Sequence, residues 1–103
     1  MRSFVLVYGE GPTMTLENVD DESADWFLAR PSLSLAVRQV SRLHAQKRID
    51  ECRALAVAKD LETAFERMTG ERVRVRAMKW TSFRTMRSNG REYVEQILHE
   101  IAS

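Results

Sequence analysis

The chain is poor in the residues that cross-link or interrupt a fold. It has one cysteine, Cys52, in 103 residues, so no disulfide forms within it and its stability rests on packing. That cysteine usage fits a reducing compartment, and the expected location is the cytoplasm. No apolar run exceeds five residues, too short for a signal-peptide core or a membrane span. Membrane association is therefore not expected. There are two histidines, His44 and His99, and neither stands at helical ligand spacing from the other or from Cys52, which argues against zinc. His44 reads as a histidine at the edge of a core and His99 as a residue near a helix end. Cys52 has no base placed beside it to make it a nucleophile. Gly9-Glu10-Gly11 lacks the third glycine and the lysine of a phosphate-binding loop, and a hairpin turn explains both glycines. The expectation is a non-enzymatic protein with no catalytic residues, no metal and no cofactor.

Charge of one sign is also lacking. The net charge is +1, and no global field drives association. The charges are nevertheless sorted along the chain. Residues 1–30 carry six acids against two arginines, a net −4, whereas the remainder carries fourteen basic and nine acidic residues, a net +5. Such a division implies either internal pairing or two faces of opposite sign.

Glycine and proline are absent from 32–69, a stretch rich in good helix formers between Pro31 and Gly70. This predicts a long central helix over about 33–69. Two apolar stripes run along it: Leu33, Val37, Val40, Leu43 and His44, then Ala54, Val57, Ala58, Leu61, Ala64, Phe65 and Met68. The stripe fails across Gln46–Glu51. Either the helix continues with a polar waist, or it divides there, with Asp50 capping the second half and Ile49 stapled to Ala54. The lack of a breaker favours the continuous helix. Two stripes exceed what one small sheet can cover, which raises a homodimer through the long helix as one arrangement. Arg38, Arg42, Lys47, Arg48 and Arg53 form a basic outer face on the same stretch.

Before this helix, Phe4–Tyr8 is β-branched and aromatic, and Thr13–Val19 alternates with a period of two. The two predict a hairpin around the loop Gly9–Pro12. Asp20-Asp21-Glu22 then offers a cap and a negative first turn for a short helix that ends at Pro31. After Gly70, Val73, Val75 and Ala77 alternate strictly with Arg72, Arg74 and Arg76, predicting a strand over 72–79. Residues 82–87 suit either a fourth strand or a helical turn. Asn89 with Glu92 resembles a capping box, and Tyr93, Val94, Ile97, Leu98 and Ile101 share one face of a C-terminal helix over about 90–102. The sum is a single α+β domain, a small antiparallel sheet with helices on one face.

The clearest binding signal is basic. Arg72, Arg74, Arg76, Lys79, Arg84, Arg87 and Arg91 lie within twenty residues that contain no acid, interleaved with Trp80 and Phe83. Arginine and tryptophan anchor protein interfaces, and the same residues suit phosphate contact and base stacking. The countervailing possibility is pairing of these arginines with Glu62, Glu66 and the N-terminal acids. A secondary acidic face consists of Asp20, Asp21, Glu22 and Asp25. It lacks the glycine and ligand spacing of a calcium loop, and helix capping accounts for much of it. These features predict a small binding protein that docks on a larger macromolecule as an adaptor, accessory subunit or inhibitor, with a protein as the partner. Nucleic-acid binding through the same strand face is the alternative.

Overall fold

The computed structural model describes residues 1–87 and 95–99. Among these, strands β1 (Arg2–Tyr8) and β2 (Thr13–Asn18) are followed by helices α1 (Asp21–Leu28), α2 (Ser32–Leu43) and α3 (Glu51–Thr69). Strand β3 (Val73–Lys79), helix α4 (Trp80–Arg87) and strand β4 (Glu95–His99) complete the order. The fold is α+β, with the strands in one mixed sheet of order β3-β1-β2-β4.

The hairpin forms as its pattern predicts, with Val5 opposite Glu17 and Val7 opposite Thr15. Gly9 and Gly11 carry the positive φ angles, 98° and 74°, that let the chain reverse. Strand β3 enters on the open side of β1 and runs parallel to it, Phe4 beside Val75 and Leu6 beside Ala77. The sheet is therefore mixed and not antiparallel throughout. Strict alternation specifies which side chains point inward, but an alternating strand pairs equally well in either direction. The three intervening helices carry the chain back across the sheet, and that return path sets the parallel pairing.

The expected single helix is two. Helix α2 ends at Leu43, and α3 begins at Glu51 behind an Asp50 side chain that accepts the Arg53 amide at 2.8 Å. Gln46 takes a positive φ of 64° between them. No breaker is needed at this point because nothing there is apolar enough to hold a helix against the sheet. Separated, α2 and α3 pack against each other and bury Leu33, Val37 and Val40 together with Ala54, Val57, Ala58, Leu61 and Phe65. The two stripes that suggested a dimer seam are thus largely covered within the chain, although Leu43 is 65% exposed.

These helices cover one face of the sheet over Phe4, Leu6, Met14, Leu16, Val73, Val75 and Leu98. Phe4 is central, with the rings of Trp26, Phe27 and Phe65 centred 5.8–6.0 Å away at tilted or edge-on angles. The second face was expected to be open. Instead 80–87 is a helix, not a strand, and α4 folds over that face to place Phe83, 1% exposed, against Val5 and Val7.

The C-terminal helix over 90–102 is also corrected where the chain is described. Glu95–His99 is a strand antiparallel to β2, with Leu98 opposite Met14 and Ile97 opposite Thr15. Leu98 is buried and Ile97 is 46% exposed, the opposite faces of a strand and not one stripe of a helix. The cap at Asn89–Glu92 lies outside the described residues. None of the described helices is long and apolar enough to cross a membrane.

Candidate functional site

Strand β3 is an edge strand, and its residues divide as the sequence predicts. Val73 and Val75 are buried, whereas Arg72, Arg74, Arg76 and Lys79 are exposed. Among the described residues, ion pairs within 4 Å join Arg2 to Glu22 and Glu71, Arg30 to Glu71, and His44 to Asp60. None of them takes in Arg72, Arg74 or Arg76. Pairing with Glu62 and Glu66 does not occur, because those carboxylates have another task. Glu66 accepts the Val73 amide at 3.0 Å and Glu62 accepts the Val75 amide at 3.0 Å. One turn apart on α3, the two glutamates bond to alternate amides of an edge strand that would otherwise lie open to another chain. They border a hollow of about 280 Å³ that also includes Arg72 and Arg74.

Because Val73 and Val75 belong to the face covered by α2 and α3, Arg74 and Arg76 project from the opposite face, the one that α4 also covers. Arg84 and Arg87 are exposed on α4, and Arg91 lies outside the described residues. Arg87 lines a cleft over β2 together with Trp80. Val7 and Tyr8 of β1, the strand paired with β3, line the same cleft. Trp80 is half-buried with its ring 6.3 Å from that of Phe83. Phe83 is a core residue of the second face, 1% exposed, and has no free ring to offer a base.

On the acidic side, capping is visible. Asp20 accepts the Ser23 amide at 2.8 Å, and the hydrogen bonds from Ser23 hold its carboxyl below the usual range. Glu22 pairs with Arg2, while Asp21 and Asp25 are exposed. No group of three or more potential metal ligands occurs among the described residues.

Sequence reasoning missed two polar clusters. Glu71 accepts the Trp26 indole N–H at 2.8 Å and Arg30 at 3.2 Å, while the Arg30 guanidinium lies 4.9 Å from the centre of the Trp26 ring. The indole hydrogen bond, with the nearby arginines, lowers the Glu71 pKa. This ties α1 to the turn after α3. In the second, His44 Nε2 lies 2.6 Å from Asp60 Oδ2, with the His44 side chain only 10% exposed. The core-edge reading of His44 fits this placement. Arg53 donates to the His44 carbonyl at 2.9 Å and fastens the same corner. Trp26 and Arg30 stand at helical i, i+4 spacing, but Glu71 lies 45 residues from Trp26 and Asp60 lies 16 from His44, and no spacing rule links those partners.

No family model, curated protein or solved structure matches the chain. Its arginines divide into paired and unpaired, and among the described residues the exposed Arg38, Arg42, Arg48, Arg67 and Arg84 share the unpaired state with those around β3. Arg2 and Arg30 are held by carboxylates, and Arg30 shields the Trp26 ring. Among the described residues no carboxylate pairs with Arg72, Arg74 or Arg76, which lie on β3 or immediately before it. Alternate strand residues recur every 6.5–7 Å or so, which sets their guanidinium groups in a row.

Proposed function

We propose that this protein acts by docking on a larger protein, as an adaptor, accessory subunit or inhibitor, with the arginine row of β3 as its contact surface. The observation that carries this reading is the state of Arg72, Arg74 and Arg76: exposed, without an ion-pair partner among the described residues, and on or immediately before a strand whose valines are core. A guanidinium group binds a carboxylate through two parallel hydrogen bonds, and the strand fixes the backbone spacing of the row before any partner binds. Glu62 and Glu66 border the row, and their negative charge disfavours a polyphosphate backbone running along that edge. A partner presenting discrete carboxylates can avoid them. The acidic residues Asp20, Asp21, Glu22 and Asp25 form a secondary contact face in the same reading.

The test is affinity capture from the native host, with and without nuclease, comparing the wild type with Arg74→Glu/Arg76→Glu. A protein partner should survive nuclease treatment and be lost with the variant, whose thermal midpoint should move little because both side chains are exposed. Unfolding of the variant, or retention of the partner, refutes the reading. Low-salt gel shifts with single- and double-stranded probes that depend on Arg74 and Arg76 would transfer the face to nucleic acid.

A further inference from the structure

On the second face of the sheet, the side of β3 that carries Arg74 and Arg76 continues to Met78, which packs against the cluster of Val5, Val7 and Phe83. That cluster closes the Lys79 end of the strand, and the exposed arginines run from it toward the Arg72 end. The register names their neighbours in the sheet: Arg74 lies beside Ser3 and Arg76 beside Val5 on β1. Neither neighbour is an acid, and among the described residues β3 has no strand on its other side. On that outer edge the main-chain donors are taken, the Val73 amide by Glu66 and the Val75 amide by Glu62.

We infer that the docking partner meets this row with an extended acidic segment, Asp or Glu at every second residue, laid over the face of β3 side chain to side chain. The inference rests on the docking reading of this strand and adds to it the partner's conformation and sequence period. An extended chain repeats the side chains of one side every 6.5–7 Å or so, as β3 does, so three carboxylates stay in step with Arg72, Arg74 and Arg76. A helix presents acids four residues apart at a rise of about 6 Å, but each step also turns them about 40° away from the row. The segment does not add to the sheet as a strand, because the two amides it would need at this end already have acceptors. The same two glutamates repel an acidic chain from the outer edge and leave the face as its approach.

The experiment is a titration of the whole chain followed by nuclear magnetic resonance, reading the backbone amides of residues 72–79 and the Nε–H signals of Arg74 and Arg76. The probe is acetyl-Ser-Glu-Ser-Glu-Ser-Glu-Ser-amide. Its control is the isomer acetyl-Glu-Ser-Ser-Glu-Ser-Ser-Glu-amide, which has the same charge but no two successive acids on one side of an extended chain. The alternating peptide should bind saturably and at least about fivefold tighter than the isomer, the effect of two further exposed ion pairs in register. Arg74→Glu/Arg76→Glu should abolish its binding. Arg74→Gln/Arg76→Gln should remove its advantage over the isomer, which keeps the test open if charge reversal unfolds the chain. A copy N-methylated at every residue cannot pair as a strand and should still bind.

No saturable shift, equal binding of the two isomers, or loss of binding on N-methylation overturns the inference. So does tighter binding, at the same arginines, of a short oligothymidylate or of a helical peptide with glutamate at every fourth residue. Affinity capture separates this failure from that of the docking reading. A protein partner that is lost with Arg74→Glu/Arg76→Glu leaves that reading standing even where the alternating peptide does not bind.

Discussion

In a Glu62→Ala/Glu66→Ala variant the amides of Val73 and Val75 lose the acceptors they hold at 3.0 Å. A hydrogen bond to a charged group is worth about 1.5–3 kcal/mol. Both glutamates are only half-buried and water reaches the freed edge, so each bond should fall at or just below the bottom of that range, about 1–1.5 kcal/mol. The two brace one strand and are coupled, and the double variant should lose about 2–3 kcal/mol. In a domain of about 100 residues this lowers the thermal midpoint by roughly 10–20 °C. Denaturant unfolding should show a reduced midpoint with an unchanged slope, because the surface exposed on unfolding is the same. Hydrogen exchange gives the specific readout. The Val73 and Val75 amides should be protected in the wild type and exchange fast in the variant, while Glu62→Gln/Glu66→Gln, which keeps an oxygen acceptor, falls between. The bared edge should also promote self-association at high concentration. A loss below about 0.5 kcal/mol, or fast exchange of both amides in the wild type, would refute the role given to these glutamates.

Stability should fall in acid. Asp20 is held low by hydrogen bonds from Ser23 and Glu71 by the Trp26 indole, so the stability they contribute is complete above the unfolded-chain values near 4 and is lost as pH falls through the lower folded values. Glu71→Gln should flatten the decline in thermal midpoint below about pH 4.5, and an unchanged slope would show that Glu71 does not drive it. Gly70 ends α3 with φ 74°, and a Cβ added there would meet nothing within 4 Å. Gly70→Ala should therefore cost only the left-handed backbone penalty, about 1 kcal/mol in denaturant unfolding. A loss several times larger would point to packing that the turn does not have.

Much of the architecture is written locally. The alternation at Thr13–Asn18 and Val73–Ala77, the Asp20 cap, the α3 stripe and the glycines of the hairpin each act over a few residues, where backbone sterics and burial on one face decide the outcome. The exposed row at Arg72, Arg74 and Arg76 was legible for the same reason: once valines point inward at every second position, the residues between them must point out. The helix that carries Arg84 and Arg87 over the second face was not legible. That placement depends on Phe83 finding Val5 and Val7, more than 75 residues earlier in the chain.

The amino-acid order alone determined which segments are apolar, on which side, and where charge collects. The tertiary structure decided the direction of β3, the break between α2 and α3, the covering of the second face by α4, and the strand at Glu95–His99. Each of these choices is weak locally. Glu95–His99 fits a helical stripe as readily as a strand, and the polar stretch 44–50 has no preference strong enough to hold or break a helix. Pairing partners supplied from distant parts of the chain tip such balances, since an edge of β2 with open backbone groups rewards a strand and a sheet too narrow for one long helix rewards two shorter ones.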